Sequence, residues 1–170
     1  MLEIHDTTIF EAPRAVVFAT IRDRYEDYLR YVPVVASVKL IEREEIGPGL
    51  CRSVTEWEGN ANIPGTVKSA LKPEMIRWRV HSLWDEEHWS NDWRMETFHF
   101  KNIFECYGTI RFEEEENDRT KCTLAAMFHI DVPILGPIAE KYIIKNILNK
   151  NLMMNNDAVR RLLEEENSSR

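Results

Sequence analysis

Arg94 and Glu96 are the two side chains whose types and spacing could carry out chemistry. They stand two residues apart in residues 92–101, a stretch that alternates as a β-strand does, so both point to one face of a sheet. In an apolar interior a charged pair is costly to desolvate, and such pairs persist where they orient a ligand's polar head or serve a catalytic step. At a splayed strand end, both would be solvated. The sequence leaves both interpretations open.

Metal and nucleophile chemistry lack the spacing that they require. Zinc sites need ligands that converge at defined separations, and the chain contains no HxxxH, HExxH or CxxC motif. It also has no GxSxG motif, and Gly47-Pro48-Gly49 joins two predicted strands instead of opening a helix around a phosphate. We therefore predict no metal site and no cofactor. The histidines considered as ligands are His81, His88, His99 and His129.

The composition bounds the class of protein. The 170 residues are 44% hydrophobic and 30% charged, which suits one domain with a core, expected at residues 1–166, and a frayed tail at residues 167–170. The net charge of −7 disfavours binding to nucleic acid. No apolar run reaches 18 residues and no signal peptide is recognisable, so we expect no integral membrane segment and a cytoplasmic location. No oligomeric state is predicted. The scattered, odd-numbered cysteines fit reduced core thiols, and they are Cys51, Cys106 and Cys122.

Residues 134–166 predict one long C-terminal helix. Gly136-Pro137 supplies its first turn, and no further glycine or proline follows. Apolar residues recur at helical spacing in two adjacent rows, so a wide stripe must be buried. At 1.5 Å per residue the helix would span roughly 45 Å, enough to cross a strongly curved sheet. The rows are Leu135, Ala139, Ile143, Ile147, Met154, Ala158 and Leu162, and Ile144, Leu148, Leu152, Val159 and Leu163.

The rest of the chain predicts two short helices and a series of strands. Ile4–Glu11 alternates as a first strand, Pro13 opens a helix that Asp23 closes, and Tyr25–Tyr31 forms a second short helix before Pro33. Short returns without crossover helices then imply an antiparallel meander. Its predicted strands are residues 38–45, 50–58, 63–71, 75–84, 92–101, 104–115 and 121–132.

The register of the last two strands decides which side chains face the interior. The apolar sets in residues 104–112 and 124–132 mate if Ile110 lies opposite Ala126. A slip of one residue would turn Phe128 outwards, so the apolar match should win.

The same register can be carried back to the preceding strand. Across Asn102 it places Phe98, Glu96 and Arg94 on the inner face, with Gly108 opposite Glu96. Because glycine has no side chain, it would leave room for a polar notch in an apolar wall.

Short motifs follow one another in a characteristic order. They are Ile9-Phe10-Glu11-Ala12-Pro13, Val17-Phe18, Asp23, residues 28–33, Gly47-Pro48-Gly49, and Lys72-Pro73-Glu74 leading into Trp78-Arg79. With the order of elements, these motifs resemble the helix-grip fold of the START-like superfamily, also called SRPBCC, which includes birch-pollen-allergen-like proteins and polyketide cyclases. Gly108-Thr109, residues 132–137 and Glu140-Lys141 are similar to a bacterial family of uncharacterised function within it.

The resemblance covers essentially the whole chain and implies an α+β fold. A curved antiparallel sheet of about seven strands would wrap around the long C-terminal helix, with two short helices after the first strand and a hydrophobic cavity inside. The resemblance implies no activity, because the superfamily hosts carriers, cyclases and interaction modules on one scaffold.

We therefore predict binding or transport of a small hydrophobic ligand (lipid, fatty acyl, isoprenoid or polyketide-like) in that cavity. An enzyme of the cyclase or hydrolase type would instead use Glu96 as its acid–base group, tuned by Arg94. A third interpretation is a protein-interaction module with a filled cavity. The five tryptophans fit either core packing or an aromatic pocket. The predicted pocket residues are Trp78, Arg94, Glu96, Phe98, Phe112, Phe128, Tyr142, Ile143 and Ile147.

Overall fold

Antiparallel strands form one curved sheet in the computed structural model, which describes residues 1–60, 77–99, 104–130 and 149–169. Within these ranges there are seven strands: β1 (Leu2–Phe10), β2 (Val35–Gly47), β3 (Leu50–Gly59), β4 (Arg77–Asp85), β5 (Ser90–Thr97), β6 (Phe104–Glu115) and β7 (Arg119–Ile130). Their order across the sheet is β1-β7-β6-β5-β4-β3-β2. The strands from β2 to β7 therefore pair in chain order as an antiparallel meander, and β1 joins it at the edge of β7. Because β3 pairs directly with β4, the predicted order with a further strand between them is wrong.

Two α-helices accompany the sheet in the described ranges. Helix α1 (Arg14–Asp23) begins directly after Pro13, as predicted, and a short 3₁₀ helix (Asp27–Arg30) follows it. Helix α2 (Asn149–Ser168) is the described part of the predicted C-terminal helix, and it includes Asn167 and Ser168, which the sequence assigned to a frayed tail. The predicted helix start at Pro137, the strand at residues 63–71 and the turn at residues 72–74 lie outside the described residues.

Two of the hairpin turns follow from local residue chemistry. Pro48-Gly49 links β2 to β3, with glycine at φ +68°, which is the conformation that the third position of a type II turn requires. Asn117 and Asp118 link β6 to β7 at φ 62° and 53°, and these two residue types tolerate left-handed backbone better than most.

Phe18 of α1 is the centre of the packed core. Its ring lies edge-on to three aromatic rings, with centroid distances of 5.4 Å to Trp84, 5.3 Å to Trp89 and 5.1 Å to Phe112. Such edge-to-face pairs contribute about 0.5–1.5 kcal/mol beyond their buried area. Helix α2 completes the core with the apolar stripe that the sequence predicted, and its buried members are Ala158, Val159, Leu162 and Leu163.

Polar contacts fix α2 to the N-terminal elements. The Asn156 amide donates to Asp6 Oδ2 at 3.0 Å and to Thr8 Oγ1 at 2.8 Å, both on β1. Nine residues further on, Glu165 accepts hydrogen bonds from Arg30 and Tyr31, beside the 3₁₀ helix. The helix is therefore attached at two points along its length.

Phe128 tests whether the inner face has been identified correctly. It is 1% exposed, and its ring meets Phe104 edge-on at 5.4 Å. We expect Phe128→Ala to lower the free energy of unfolding by about 3–5 kcal/mol, because a fully packed ring leaves a cavity when it is removed. The control is Met127→Ala on the opposite face, where only a half-buried side chain is truncated. Urea unfolding of both variants measures the difference, and equal midpoints would contradict the assignment.

Candidate functional site

The two faces of the sheet differ because side chains alternate along each strand. The inner face is the one that packs on α1 and α2, and it includes Trp84 and Phe112. Residues that pair directly across neighbouring strands point to the same face of the sheet. Trp84 pairs with Cys51 and Asn91, and Asn91 pairs with Ile110, so all four lie on the inner face. Every second residue along these strands therefore points into the interior.

Burial divides the inner face into a packed end and an open part. Near α1 the inward side chains are almost fully buried. Along the strands from there, most of those of β3, β4 and β5 are only half-buried although they still point inwards, so part of their surface is accessible. We call this set the open inner face. Its members beyond the Ser53–Ser82 pair are all uncharged, and they are Thr55, Trp57, Trp78, Val80, Trp93, Met95 and Thr97.

Several polar atoms of the inner face are paired with each other. Trp57 Nε1 donates to Thr55 Oγ1 at 2.8 Å, and Trp84 Nε1 donates to Ser53 Oγ at 3.3 Å. These bonds run along one strand or between adjacent strands, so they satisfy the indole N–H groups without a ligand.

The predicted register of β6 and β7 is wrong by two residues. Ile110 lies opposite Leu124, and Ala126 lies opposite Gly108. Because two residues are one full period of a strand, the predicted faces are nevertheless correct, and Phe128 points inwards beside Cys106.

The predicted register of β5 and β6 is wrong by three residues, and this error changes the site. Arg94 lies opposite Tyr107, while Trp93 lies opposite Gly108. An odd shift moves a whole strand to the other face. Arg94 and Glu96 consequently lie on the outer face, and the predicted polar notch in front of Gly108 does not exist.

Outer-face contacts account for three predicted pocket residues. Glu96 Oε2 lies 3.0 Å from His81 Nε2 on β4. The ring of Phe98, also predicted to face inwards, lies 5.1 Å from the guanidinium carbons of Arg77 and Arg79. Arg94 itself is exposed.

The outer face also holds an open depression of about 800 Å³ that crosses strands β3 to β7. Arg94 and His81 line it together with Leu83 and Tyr107, two of the exposed apolar side chains. On the same face, hydrogen bonds from Arg77 and Arg79 lower the pKa of Glu56. This surface is a solvated arrangement of charges and not an apolar enclosure.

The remaining predicted pocket residues divide into three groups. Trp78 faces inwards as predicted and is half-buried, so a contact between it and a ligand stays a prediction. Phe112 and Phe128 are 2% and 1% exposed, and they form packed core instead of an open cavity wall. Tyr142, Ile143 and Ile147 lie outside the described residues.

Nearly the whole chain superposes on solved structures. The protein TTHA0849 from Thermus thermophilus matches with a TM-score of 0.72 and 22% identity, over 94% of this chain and 95% of that one. The Zhui aromatase/cyclase from Streptomyces sp. R1128 matches with a TM-score of 0.71 and 17% identity, over 96% and 93% of the two chains. A START superfamily protein from Mycobacterium smegmatis matches with a TM-score of 0.60 and 12% identity, over 96% and 97%.

The chain has the START-like helix-grip fold. The fold predicted from the sequence motifs is thereby confirmed. At these identities the solved structures show the fold alone. No protein-family model matches the sequence, and no curated protein matches it.

Sequence reasoning missed most of the open inner face. Trp57, Trp93, Met95 and Thr97 were not predicted as pocket residues, because the wrong register of β5 turned the last three outwards. The signal that could have found them is the alternation Trp93, Met95, Thr97, which is less polar than Asp92, Arg94, Glu96. Applying the alternation of each strand separately, before pairing the strands, would have selected the correct face.

The described part of the chain offers few groups for metal binding, membrane insertion or thiol chemistry. No group of three histidine, cysteine, aspartate or glutamate side chains converges there as a metal site would require. No helix within the same residues has both the length and the apolar character to cross a bilayer. The three cysteines are free and buried, and burial raises the pKa of Cys106 to about 11 and of Cys122 to about 12.

The cysteines give a test of how the START-like interior is packed. Because the thiolate is the reactive form, and because both pKa values lie far above 8, we expect iodoacetamide at pH 8 to leave Cys106 and Cys122 unmodified in the native protein. In urea at the same pH, all three cysteines should be alkylated. Peptide mass spectrometry measures both samples. Rapid native labelling of Cys106 would contradict the packing described for β6.

Proposed function

We propose that this protein binds a small hydrophobic ligand in the interior between the sheet and helix α2. The open inner face carries the proposal, because uncharged and mostly apolar side chains point inwards and yet remain accessible. Filling such a space is favourable by roughly 25 cal/mol per Å² of apolar surface removed from water, before the costs of association. The START-like fold of the neighbours supports the same location.

The aromatic character of this surface favours one class among the predicted ligands. Trp57, Trp78 and Trp93 stand on three adjacent strands and face the same space. Indoles offer flat faces and positive ring edges, which pair well with another ring. We therefore propose a ring-containing ligand instead of a flexible acyl chain, and the match to an aromatase/cyclase supports this choice.

The enzyme alternative loses its catalytic group. It required Glu96 to titrate inside the cavity, tuned by Arg94, and both lie on the outer face. Glu96 instead lies 3.0 Å from His81 on the outer face, away from the interior in which the chemistry was predicted. Ligand binding without a chemical step is therefore the function proposed, and the free, buried cysteines support a cytoplasmic location for it.

Nile red, an uncharged dye that fluoresces in apolar surroundings, tests the proposal. We expect it to bind the parent protein with a saturable signal. Val80→Phe should weaken this binding by at least about tenfold, because the larger side chain fills the space in front of the open inner face. Fluorescence titration at constant protein concentration measures the dissociation constants.

Leu83→Phe is the matched control on the same strand. Leu83 points to the outer face and is 36% exposed, so the added ring should leave the dye affinity unchanged. Thermal melts show whether both variants are folded. If Nile red does not bind the parent, or if the two variants weaken it equally, the interior is not the binding site.

A further inference from the structure

Strand β5 turns three unpaired polar atoms towards the interior. Asn91 Oδ1, Trp93 Nε1 and Thr97 Oγ1 are shielded from water and have no hydrogen-bond partner in the described part of the chain. All three residues share the inner face, since Asn91 pairs with Trp84, Trp93 with Ser82 and Thr97 with Trp78. We call these three atoms the β5 polar row.

Unpaired polar atoms in a protein interior are unfavourable, because they have lost water and gained no partner. The neighbouring strands show the usual solution, since the indole N–H groups of Trp57 and Trp84 both donate to hydroxyl oxygens. The β5 polar row departs from that pattern at three positions of one strand. A bound molecule that supplied the missing partners would remove the penalty.

The geometry of the row specifies where those partners must lie. Asn91 is 4% exposed and stands at the boundary between the packed end and the open inner face. Trp93 follows two residues later, which is roughly 7 Å further along the strand. The Trp93 side chain is half-buried, so part of it borders the open inner face, and its shielded N–H would reach a ligand there only after a turn of the ring. Gly108 lies directly opposite on β6 and carries no side chain.

The chemistry of the row specifies what the partners are. An amide oxygen needs a donor, and an indole nitrogen can only donate and needs an acceptor. No member of the row carries a charge, so a carboxylate or an ammonium group placed against it would be desolvated without a counter-charge.

From these observations, and resting on the proposed function, we infer that the ligand is an uncharged, elongated ring system with oxygen substituents along one edge. One hydroxyl donates to Asn91 Oδ1 at the inner end. A second oxygen, roughly 7 Å away, accepts from Trp93 Nε1. The row therefore orients the ligand, while the apolar members of the open inner face hold it.

Three flat probes of similar size separate these contributions. Naphthalene offers no hydrogen bond, 2,6-dimethoxynaphthalene offers acceptors only, and 2,6-dihydroxynaphthalene offers both donors and acceptors. Displacement of Nile red from the parent protein gives each dissociation constant. We expect the dimethoxy probe to bind about tenfold more tightly than naphthalene, and the dihydroxy probe about tenfold more tightly again, as one recovered hydrogen bond at each step implies.

Two substitutions assign each step to its residue. Asn91→Leu, which replaces the amide by an apolar side chain of similar size, should abolish the preference for the dihydroxy over the dimethoxy probe. Trp93→Phe should abolish the preference for the dimethoxy probe over naphthalene. The matched control is Trp57→Phe, because the Trp57 N–H is already paired, and it should change the affinity of all three probes alike.

The results distinguish a failure of the proposed function from a failure of the inference about the β5 polar row. If Nile red does not bind the parent protein, the proposed function is wrong. If Nile red binds but the three probes displace it with equal affinity, or if both variants keep the parent's preferences, the interior binds ligands and the β5 polar row does not orient them. If Asn91→Leu fails to fold, Trp93→Phe with naphthalene and the dimethoxy probe still decides the case.

Discussion

The packing of Phe18 is the contact on which the rest of the structure depends. One ring from α1 meets three aromatic rings from β4, the following turn and β6, and the apolar stripe of α2 closes over the same core. A sheet with one apolar face must cover that face to be stable. Within the described residues, the fully packed contacts lie at one end of that face, against α1 and α2, and most inward side chains further along β3, β4 and β5 are half-buried.

The same constraint separates charge from apolar surface. Ionic groups on β3, β4 and β5 alternate with inward apolar ones, so Glu56, Arg77 and Arg79 pair on the outer face while Trp57 and Trp78 point inwards. Charges are costly to desolvate, and the strand period of two keeps them in water without interrupting the interior.

Gly108 shows how closely the middle of the sheet is packed. A Cβ at this position would lie 2.4 Å from the carbonyl oxygen of Ala125 and 2.9 Å from the Cα of Ala126, so no other residue fits without moving the β7 backbone. The sequence predicted that this glycine leaves room for a polar notch, whereas in the structure its missing side chain allows the β7 backbone to approach closely. Gly108 also stands beside Trp93 and not beside Glu96.

The sequence predicts the features that depend on neighbouring residues better than those that depend on contacts between distant strands. Pro13, the α2 stripe and the alternation within each strand are set by neighbours a few residues apart, and those predictions are confirmed. Register between strands depends on the geometry of the connection, which composition does not encode. Treating Asn102 as the pivot of a symmetric turn shifted β5 by three residues, whereas the error of two residues at β7 did no harm to the faces. Because the β5 error is an odd number of residues, it placed Arg94 and Glu96 on the wrong face and left Trp93, Met95 and Thr97 out of the predicted site.

The junction between β1 and the C-terminal elements has a consequence for the order in which the protein is made. Asn156 bonds to Asp6 across 150 residues of sequence, and Thr120 bonds to Ala12 across 108. Contacts of such separation are slow to form, because the intervening chain must first be closed into a loop. During synthesis α1 emerges from the ribosome long before β7 and α2 exist, so Phe18 lacks all three of its ring partners until residue 84 has been translated and lacks the cover of α2 until nearly the whole chain exists. The nascent chain therefore exposes apolar side chains of α1 during much of its synthesis. Exposed apolar surface of this kind binds chaperones and promotes aggregation.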